Sequence, residues 1–325
     1  MRSPLNRIGP LVTMVALLGL AGCGGGGSAD TTRPRTSTVP GHAGPASAQP
    51  STTRPAKPSP PPYPVLSPAA TGTAQSNFVP AARWRDATVA WIARSASGIA
   101  LLSFDQRLAA LQLHSGTVDA GTVGWRFGPV IAASDRGRVV AAFNGGFRFS
   151  TGAGGFQSYG REAVALRDGL ASIVTYDDGT TDIGSWRQEV PANGRNLVSV
   201  RQNLALLIDH GVPASTLDCL SCWGATLGGV NDPARSALGI TADGRLIWAG
   251  AEHLTVAQLA DALLGVRVVR AVELDINPQW VAAYLYDHDH GHAPLAAVPV
   301  VPGQPGAPGQ FLAPYSRDFF AIVAR

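Results

Sequence analysis

The sequence predicts an α+β fold, a sheet-dominated mixed domain with few helices that follows a disordered tether. One observation behind this prediction is that short apolar runs, such as residues 139–143 and 319–325, recur along the chain and are often joined by Asp-Gly turns. The other is a single amphipathic helical pattern over residues 255–266, between a hairpin and an apolar strand. Strand hairpins with an intervening helix are typical of a mixed architecture, so we expect one sheet-rich domain over residues 76–325.

Residues 1–22 have the pattern of a secretory signal peptide. Arg2 and Arg7 precede an apolar run over residues 8–20, and small residues follow it. The run is shorter than the roughly 20 residues that a membrane-spanning helix needs. The small residues before Cys23 resemble the lipobox of bacterial lipoproteins, which implies cleavage before Cys23 and lipidation of its sulfur. We therefore expect a lipoprotein on the outer face of the cytoplasmic membrane, the alternative being a secreted protein without a lipid.

Residues 23–75 are predicted to form the tether. They are rich in Gly, Ser, Thr, Ala and Pro and contain almost no residues that could form a core. Such a segment buries too little apolar surface to offset the entropy of ordering it. Its glycine-rich parts are flexible and its proline-rich parts extended, so we expect it to hold the domain away from the membrane.

The charge distribution argues against nucleic acid as a partner. The chain has a formal net charge of +3. Its first 75 residues contain six arginine or lysine residues and one aspartate, which leaves a net charge of −2 for residues 76–325. A nucleic-acid-binding protein concentrates basic charge in its folded domain. All the positive charge of this domain comes from arginine, which suits bidentate binding of phosphate or carboxylate.

Cys219 and Cys222 are the two cysteines left after Cys23. A Cys-x-x-Cys pair is compatible with a redox site, half of a zinc site or a small disulfide loop. Because an exported protein matures in an oxidising compartment, the disulfide is the favoured interpretation.

Residues 236–275 contain the most informative local pattern. An alternating hairpin with its tip at residues 242–244 is followed by Thr255, which is a good helix N-cap and forms a capping box with Gln258. Gly265 is predicted to end the helix. The apolar strand that follows ends in Asp275, so this order of elements predicts a carboxylate at a strand end.

Asn144, Gly145 and Gly146 follow the apolar strand of residues 139–143. Asn-Gly is a strong turn signal, so one interpretation is a hairpin turn. The other is a site at which the backbone approaches a ligand closely.

Residues 141–149 and 235–275 together resemble two signature segments of the phosphodiester glycosidase domain family. One is its asparagine-glycine strand end. The other is its succession of Arg, Gly, hairpin, Thr-capped helix and strand ending in Leu-Asp. The resemblance implies hydrolysis of a sugar-1-phosphodiester, here in an envelope glycopolymer or an exported metabolite, and it implies no cofactor.

The resemblance also implies roles for five residues. Arg235 would bind the phosphate, and Asp275 would supply the carboxylate that activates water or stabilises positive charge. Asn144 would fix the sugar or the attacking water. Gly145 and Gly146 would let the backbone approach the substrate.

The chain departs from the family pattern after Asp275. The family has several glycines and a serine there, whereas this sequence has Ile276 and Pro278, and proline has no N–H to donate to an anion. We expect Asn277, Gln279 and Trp280 to line a sugar site instead, although a place in the core explains Trp280 equally well. The alternative is a non-catalytic cell-wall glycan-binding lipoprotein that keeps the fold.

Glu273 alternates with Asp275 along the predicted strand, so both carboxylates belong on one face. Glu273 would then form an acid/base pair with Asp275 at the substrate site. The alternative is an ion pair with Arg267 or Arg270.

Residues 286–294 contain a cluster of metal-ligand types: Asp287, His288, His290 and His292. A solvated loop after a strand explains the same composition. We favour the loop, and we expect no metal and no cofactor.

Overall fold

The computed structural model describes residues 78–122, 124–288 and 296–325. These residues belong to one compact unit. The predicted signal peptide, Cys23 and the tether lie outside the described residues, as do His290 and His292. Of the helices in the described part, none has the length and apolar character needed to cross a membrane.

The described chain is built mainly from strands. The strands are β1 (Val79–Trp84), β2 (Ala87–Arg94), β3 (Ala100–Phe104), β4 (Ala109–His114), β5 (Val139–Asn144), β6 (Phe156–Ser158), β7 (Arg161–Val164), β8 (Ala171–Tyr176), β9 (Thr181–Ser185), β10 (Leu197–Gln202), β11 (Leu206–Asp209), β12 (Val212–Pro213), β13 (Arg235–Thr241), β14 (Leu246–Ala251), β15 (Val268–Ile276), β16 (Ala283–Asp287), β17 (Ala296–Pro299) and β18 (Phe319–Ala324). The helices are α1 (Ala133–Arg136) and α2 (Val256–Gly265), with 3₁₀ turns at Phe149–Thr151, Leu220–Trp223, Leu227–Gly229 and Gln310–Leu312.

The strands form three antiparallel sheets. The first sheet has the order β1-β2-β3-β14-β13-β15-β11-β12, the second β7-β6-β10-β8-β9, and the third β17-β16-β5-β18-β4. One buried cluster contains Leu102 of the first sheet, Ile173 of the second and Phe143 of the third. The main core therefore lies between sheets.

The predicted α+β class is wrong. Among the described residues only α1 and α2 are α-helical, and α1 has four residues. The ten-residue α2 packs against β13, β14 and β15, so it covers only part of one sheet. The apolar faces are covered mostly by other sheets, which is the arrangement of a sheet-on-sheet architecture.

The hairpin and helix predicted for residues 236–275 are present. β13 and β14 pair antiparallel, with Gly244 in the left-handed conformation at the turn. The side chain of Thr255 accepts a hydrogen bond from the backbone N–H of Gln258, and the capping box is complete. The predicted role of Gly265 is wrong in detail. Gly265 is the last helical residue, and the left-handed residue after the helix is Arg267, with φ 63°.

Gly145 and Gly146 do not form a hairpin turn. The Gly145 N–H donates to the carbonyl of Asp318, and neither glycine has a positive φ. A Cβ on Gly145 would lie 2.1 Å from Oδ2 of Asp318, and one on Gly146 would lie 2.7 Å from Cζ of Arg201. The two glycines therefore make room for a pair of charged side chains inside the protein.

We expect Gly146→Ala to lower the free energy of unfolding by about 3 kcal/mol, because the new methyl group must displace the buried guanidinium of Arg201. Urea denaturation of the purified protein measures this change. Gly265→Ala is the matched control, because no atom lies within 4 Å of its added Cβ and its φ is not positive. Equal stability of the two variants would contradict the steric argument.

Candidate functional site

The candidate site is built on an irregularity in the pairing of β13 with β15. The register shifts by one residue between the pairs Arg235–Ile276 and Ala237–Glu273. Such a bulge re-aims side chains and leaves backbone groups without ladder partners. The side chains of Asn203 and Ser236 bind the carbonyls of Glu273 and Asp275 at this bulge.

Two amide side chains hold the bulge. Asn203 Nδ2 donates to the carbonyl of Glu273 at 2.5 Å. Asn144 Nδ2 donates to Oγ of Ser236 at 2.9 Å, and this hydroxyl donates to the carbonyl of Asp275 at 3.0 Å. Asn144 is only 2% exposed. Asn144 is thus linked to Asp275 through Ser236, and its hydrogen bonds fix the backbone of the site.

Arg235 and Glu273 form an ion pair inside the protein. Nη1 of Arg235 lies 2.6 Å from Oε1 of Glu273, and both side chains are 0% exposed. The guanidinium also donates to the carbonyls of Trp223 and Leu254, each at 3.1 Å. Burial raises the pKa of Glu273 to about 8, against the opposing effect of Arg235. Arg235 is therefore engaged with Glu273 and has no surface at which to meet a substrate phosphate. Glu273 therefore pairs with Arg235 and not with Arg267 or Arg270, which were the alternative partners.

Asp275 lies in the same network but reaches the surface. Its Oδ2 accepts a hydrogen bond from Nη2 of Arg317 at 2.8 Å, and its Oδ1 accepts one from the N–H of Ile276 at 2.9 Å. Its side chain is 8% exposed. Burial raises the pKa of Asp275 to about 7, against the opposing charge of Arg317. A carboxyl with this pKa is half ionised near neutral pH, which suits a proton-transfer role.

Arg317 is the central residue that the sequence reasoning missed. It binds Asp119 as well as Asp275, and it donates to the carbonyl of Gly146 at 3.0 Å. Its neighbour Asp318 forms a bidentate pair with Arg201, with N–O distances of 2.8 and 3.1 Å. The available signal was a charged Arg-Asp pair at the start of the apolar strand β18.

Trp280 covers the outer side of this network. The guanidinium carbon of Arg317 lies 4.7 Å from the centroid of the Trp280 ring, and that of Arg148 lies 6.0 Å away. Trp280 is half-buried, whereas Arg148 and Gln279 are exposed. The Trp280 ring and the exposed guanidinium of Arg148 thus lie beside Arg317, the partner of Asp275.

Asn277 has a structural role in the same loop. It adopts the left-handed conformation with φ 75°, and its Oδ1 accepts a hydrogen bond from the N–H of Leu227 at 2.9 Å. Its amide nitrogen donates to the carbonyl of Ala225 at 3.4 Å. The side chain predicted to bind a sugar is therefore engaged in holding the segment 225–227.

The cysteine prediction is confirmed. Cys219 and Cys222 form a disulfide. The following Trp223 is buried, and its carbonyl accepts a hydrogen bond from Arg235. The disulfide loop therefore leads directly into Trp223, whose carbonyl binds Arg235 of the Arg235–Glu273 pair.

Only part of the histidine cluster falls within the described residues. His288 contacts the ring of Trp84 and the carbonyl of Val139. A different group of ligand types, Glu189, Asp209 and His210, has one donor atom of each residue within 4.8 Å of the others. His210 is 67% exposed and lies at ion-pair distance from both carboxylates, so ordinary surface pairing explains this group.

No protein-family model matches the sequence, and no curated protein matches it. Among solved structures, the chain is similar to the catalytic domain of zebrafish N-acetylglucosamine-1-phosphodiester alpha-N-acetylglucosaminidase, auto-inhibited by its pro-peptide. The identity is 15% and the TM-score 0.46, over 76% of this chain and 87% of the other. It is also similar to a hypothetical protein from Synechocystis, at 12% identity and TM-score 0.38, over 73% of this chain and 61% of the other. These values describe a weak likeness of fold.

We expect Arg235→Met to destabilise the protein by about 3–5 kcal/mol, because it leaves Glu273 buried without its cation. The double variant Arg235→Met/Glu273→Met removes both charges and is expected to recover at least half of the loss. Chemical denaturation of the two variants and the wild type tests this. A double variant as unstable as the single one would show that the charge pair is not the cause.

Proposed function

We propose that this chain is an envelope-anchored phosphodiester glycosidase-like hydrolase that cleaves a sugar-1-phosphodiester linkage. The observation that carries the proposal is Asp275, a buried carboxyl with a pKa of about 7 whose side chain keeps 8% of its surface exposed. Its partner Arg317 packs against the ring of Trp280. The family resemblance of residues 141–149 and 235–275 supports the reaction class. The lipobox-like residues before Cys23 support the anchor.

In the proposed reaction Asp275 acts as the general base. Cleavage breaks the bond between the anomeric carbon and the phosphate oxygen, and the phosphate departs with the bonding electrons. Phosphate is a weak base, so a strong general acid matters less than in ordinary glycosidases. Ionised Asp275 takes a proton from a water molecule, and the oxygen of that water bonds to the anomeric carbon. Arg317 holds the carboxylate in position through Oδ2.

We assign substrate binding to Trp280 and Arg148. The half-buried ring of Trp280 offers an apolar face to the sugar. Arg148 is exposed and lies beside this ring, so its guanidinium is available to the phosphate. Arg148 takes over the role first expected for Arg235, whose guanidinium is fully buried. Gln279, exposed next to Trp280, remains a candidate for the sugar hydroxyls.

A second function is favoured by a specific observation, namely that both oxygens of Asp275 already accept hydrogen bonds. A carboxylate held in this way is compatible with a non-catalytic module that binds an envelope glycan on Trp280. In that case the wild type would bind isolated wall polymer saturably and release no product, and Trp280→Ala would lose the binding.

We expect the kcat/KM of the wild type on a chromogenic sugar-1-phosphodiester to rise about tenfold per pH unit below pH 7 and to level off above it. The reason is that the base must be ionised and its folded-state pKa is about 7. Asp275→Asn is expected to lower turnover by about 10²–10⁴-fold and to abolish this pH dependence.

Asp182→Asn is the matched control for Asp275→Asn. Asp182 is another buried aspartate, in β9 of the second sheet, whose pKa burial also raises to about 7. Its amide variant should keep both the rate and the pH profile. Full activity in Asp275→Asn would reject the assignment of the base.

We expect Arg148→Ala to raise KM for the phosphodiester about tenfold with little change in kcat, because an exposed contact to the phosphate stabilises substrate and transition state alike. KM for a neutral aryl glycoside of the same sugar should not change. Arg161→Ala is the control, because Arg161 is likewise exposed and contacts a tryptophan ring. An unchanged KM for the phosphodiester would remove Arg148 from the site.

A further inference from the structure

A cavity of about 320 Å³ lies on the outer side of the third sheet, beside its edge strand β4. Neither Asp275 nor Trp280 lines it. Residues of β4 and of the segment 126–138 form its walls, among them Gln112, His114, Arg126, Ser134, Asp135 and Arg138. The volume falls in the range of small-molecule sites and can accommodate one monosaccharide with a substituent.

The floor of the cavity carries two hydrogen-bond acceptors. Gln112 and His114 are two residues apart on β4, where they pair with Ala321 and Phe319 of β18, and so they share one face of the sheet. His114 is 1% exposed, and burial lowers its pKa to about 4, so the ring is neutral. Its Nδ1 lies 3.0 Å from the carbonyl of Gly128 and donates to it.

This arrangement leaves Nε2 of His114 as an acceptor without a proton. Among the described residues, neither this atom nor Oε1 of Gln112 has a hydrogen-bond partner, although both are buried. Buried acceptors without partners are costly and uncommon, so they call for an explanation. Both atoms are covered by their neighbours, and the half-buried ring of Phe127, which also lines the cavity, lies 5.3 Å from the ring of His114. A ligand that binds these atoms must therefore displace Phe127 or the Gln112 side chain.

The rim of the cavity is cationic. Arg126 is exposed, and within the described part of the chain its guanidinium contacts only the ring of Phe127, at 5.9 Å from the centroid. Arg138 donates to the carbonyl of Ala324 at 3.3 Å and lies 3.6 Å from the Asp135 carboxylate. Two arginines and one aspartate give the lining a net charge of +1, because His114 is neutral.

We propose that this cavity is a second binding site, for a small hydroxylated anion of the sugar phosphate class. The phosphate binds Arg126 and Arg138, for which guanidinium donors are well suited. Sugar hydroxyls donate to Nε2 of His114 and Oε1 of Gln112, which satisfies both buried acceptors.

Isothermal titration of the purified full-length chain with glucose 6-phosphate tests the proposal. We expect saturable binding that is at least about tenfold tighter than binding of glucose or inorganic phosphate. The reason is that only a sugar phosphate can bind both the arginines of the rim and the two buried acceptors of the floor. Arg126→Ala and His114→Phe should each weaken binding about tenfold or more. Arg85→Ala should bind as the wild type does. Arg85 is exposed and, among the described residues, contacts only a ring, as Arg126 does, but it does not line the cavity.

Trp280→Ala distinguishes this cavity from the site at Asp275 and should leave the binding unchanged. Binding that is lost in Trp280→Ala and kept in Arg126→Ala would overturn the proposal, as would the absence of saturable binding of glucose 6-phosphate to the wild type. Circular dichroism shows whether His114→Phe folds. If it does not, Arg126→Ala still tests the site, because Arg126 is exposed and its replacement should not disturb the fold.

Discussion

The buried ion pair between Arg201 and Asp318 is the interaction on which the rest of the site depends. It joins β10 of the second sheet to the residue that precedes β18 of the third, and both side chains are almost fully buried. Burying two charges is costly unless their hydrogen bonds are well formed. Here Arg201 also donates to the carbonyls of Phe147 and Gln202, each at 2.6 Å. Gly145 and Gly146 permit this geometry, because a Cβ at either position would clash with Asp318 or Arg201.

The same pair positions Asp275, the candidate general base. Because Arg317 precedes Asp318 directly, the anchoring of Asp318 brings the neighbouring guanidinium to Asp275 and to the carbonyl of Gly146. Burial is the main physical reason for the raised pKa of Asp275, and the neighbouring charge of Asp318 adds to it. The positive charges of Arg317 and Arg201 act in the opposite direction.

The features that were predictable from the sequence are those set by near neighbours in the chain. The hairpin of β13 and β14, the capping box at Thr255 and the Cys219–Cys222 disulfide each involve residues close together in sequence. The fold class was mispredicted because it depends on what covers each sheet, and periodicity within one strand does not reveal that. Arg317 was missed for the same reason, since its partners Asp275 and Asp119 are far away in the chain.

The engagement of Asp275 does not by itself decide between catalysis and binding. A carboxylate has about four lone-pair positions, and the hydrogen bonds from Arg317 and from the N–H of Ile276 use two of them. The exposed 8% of the side chain is the only part of it open to solvent. Catalysis therefore requires that this opening admit a water molecule in line with the anomeric carbon. A glycan-binding role requires only the exposed part of the half-buried Trp280 ring.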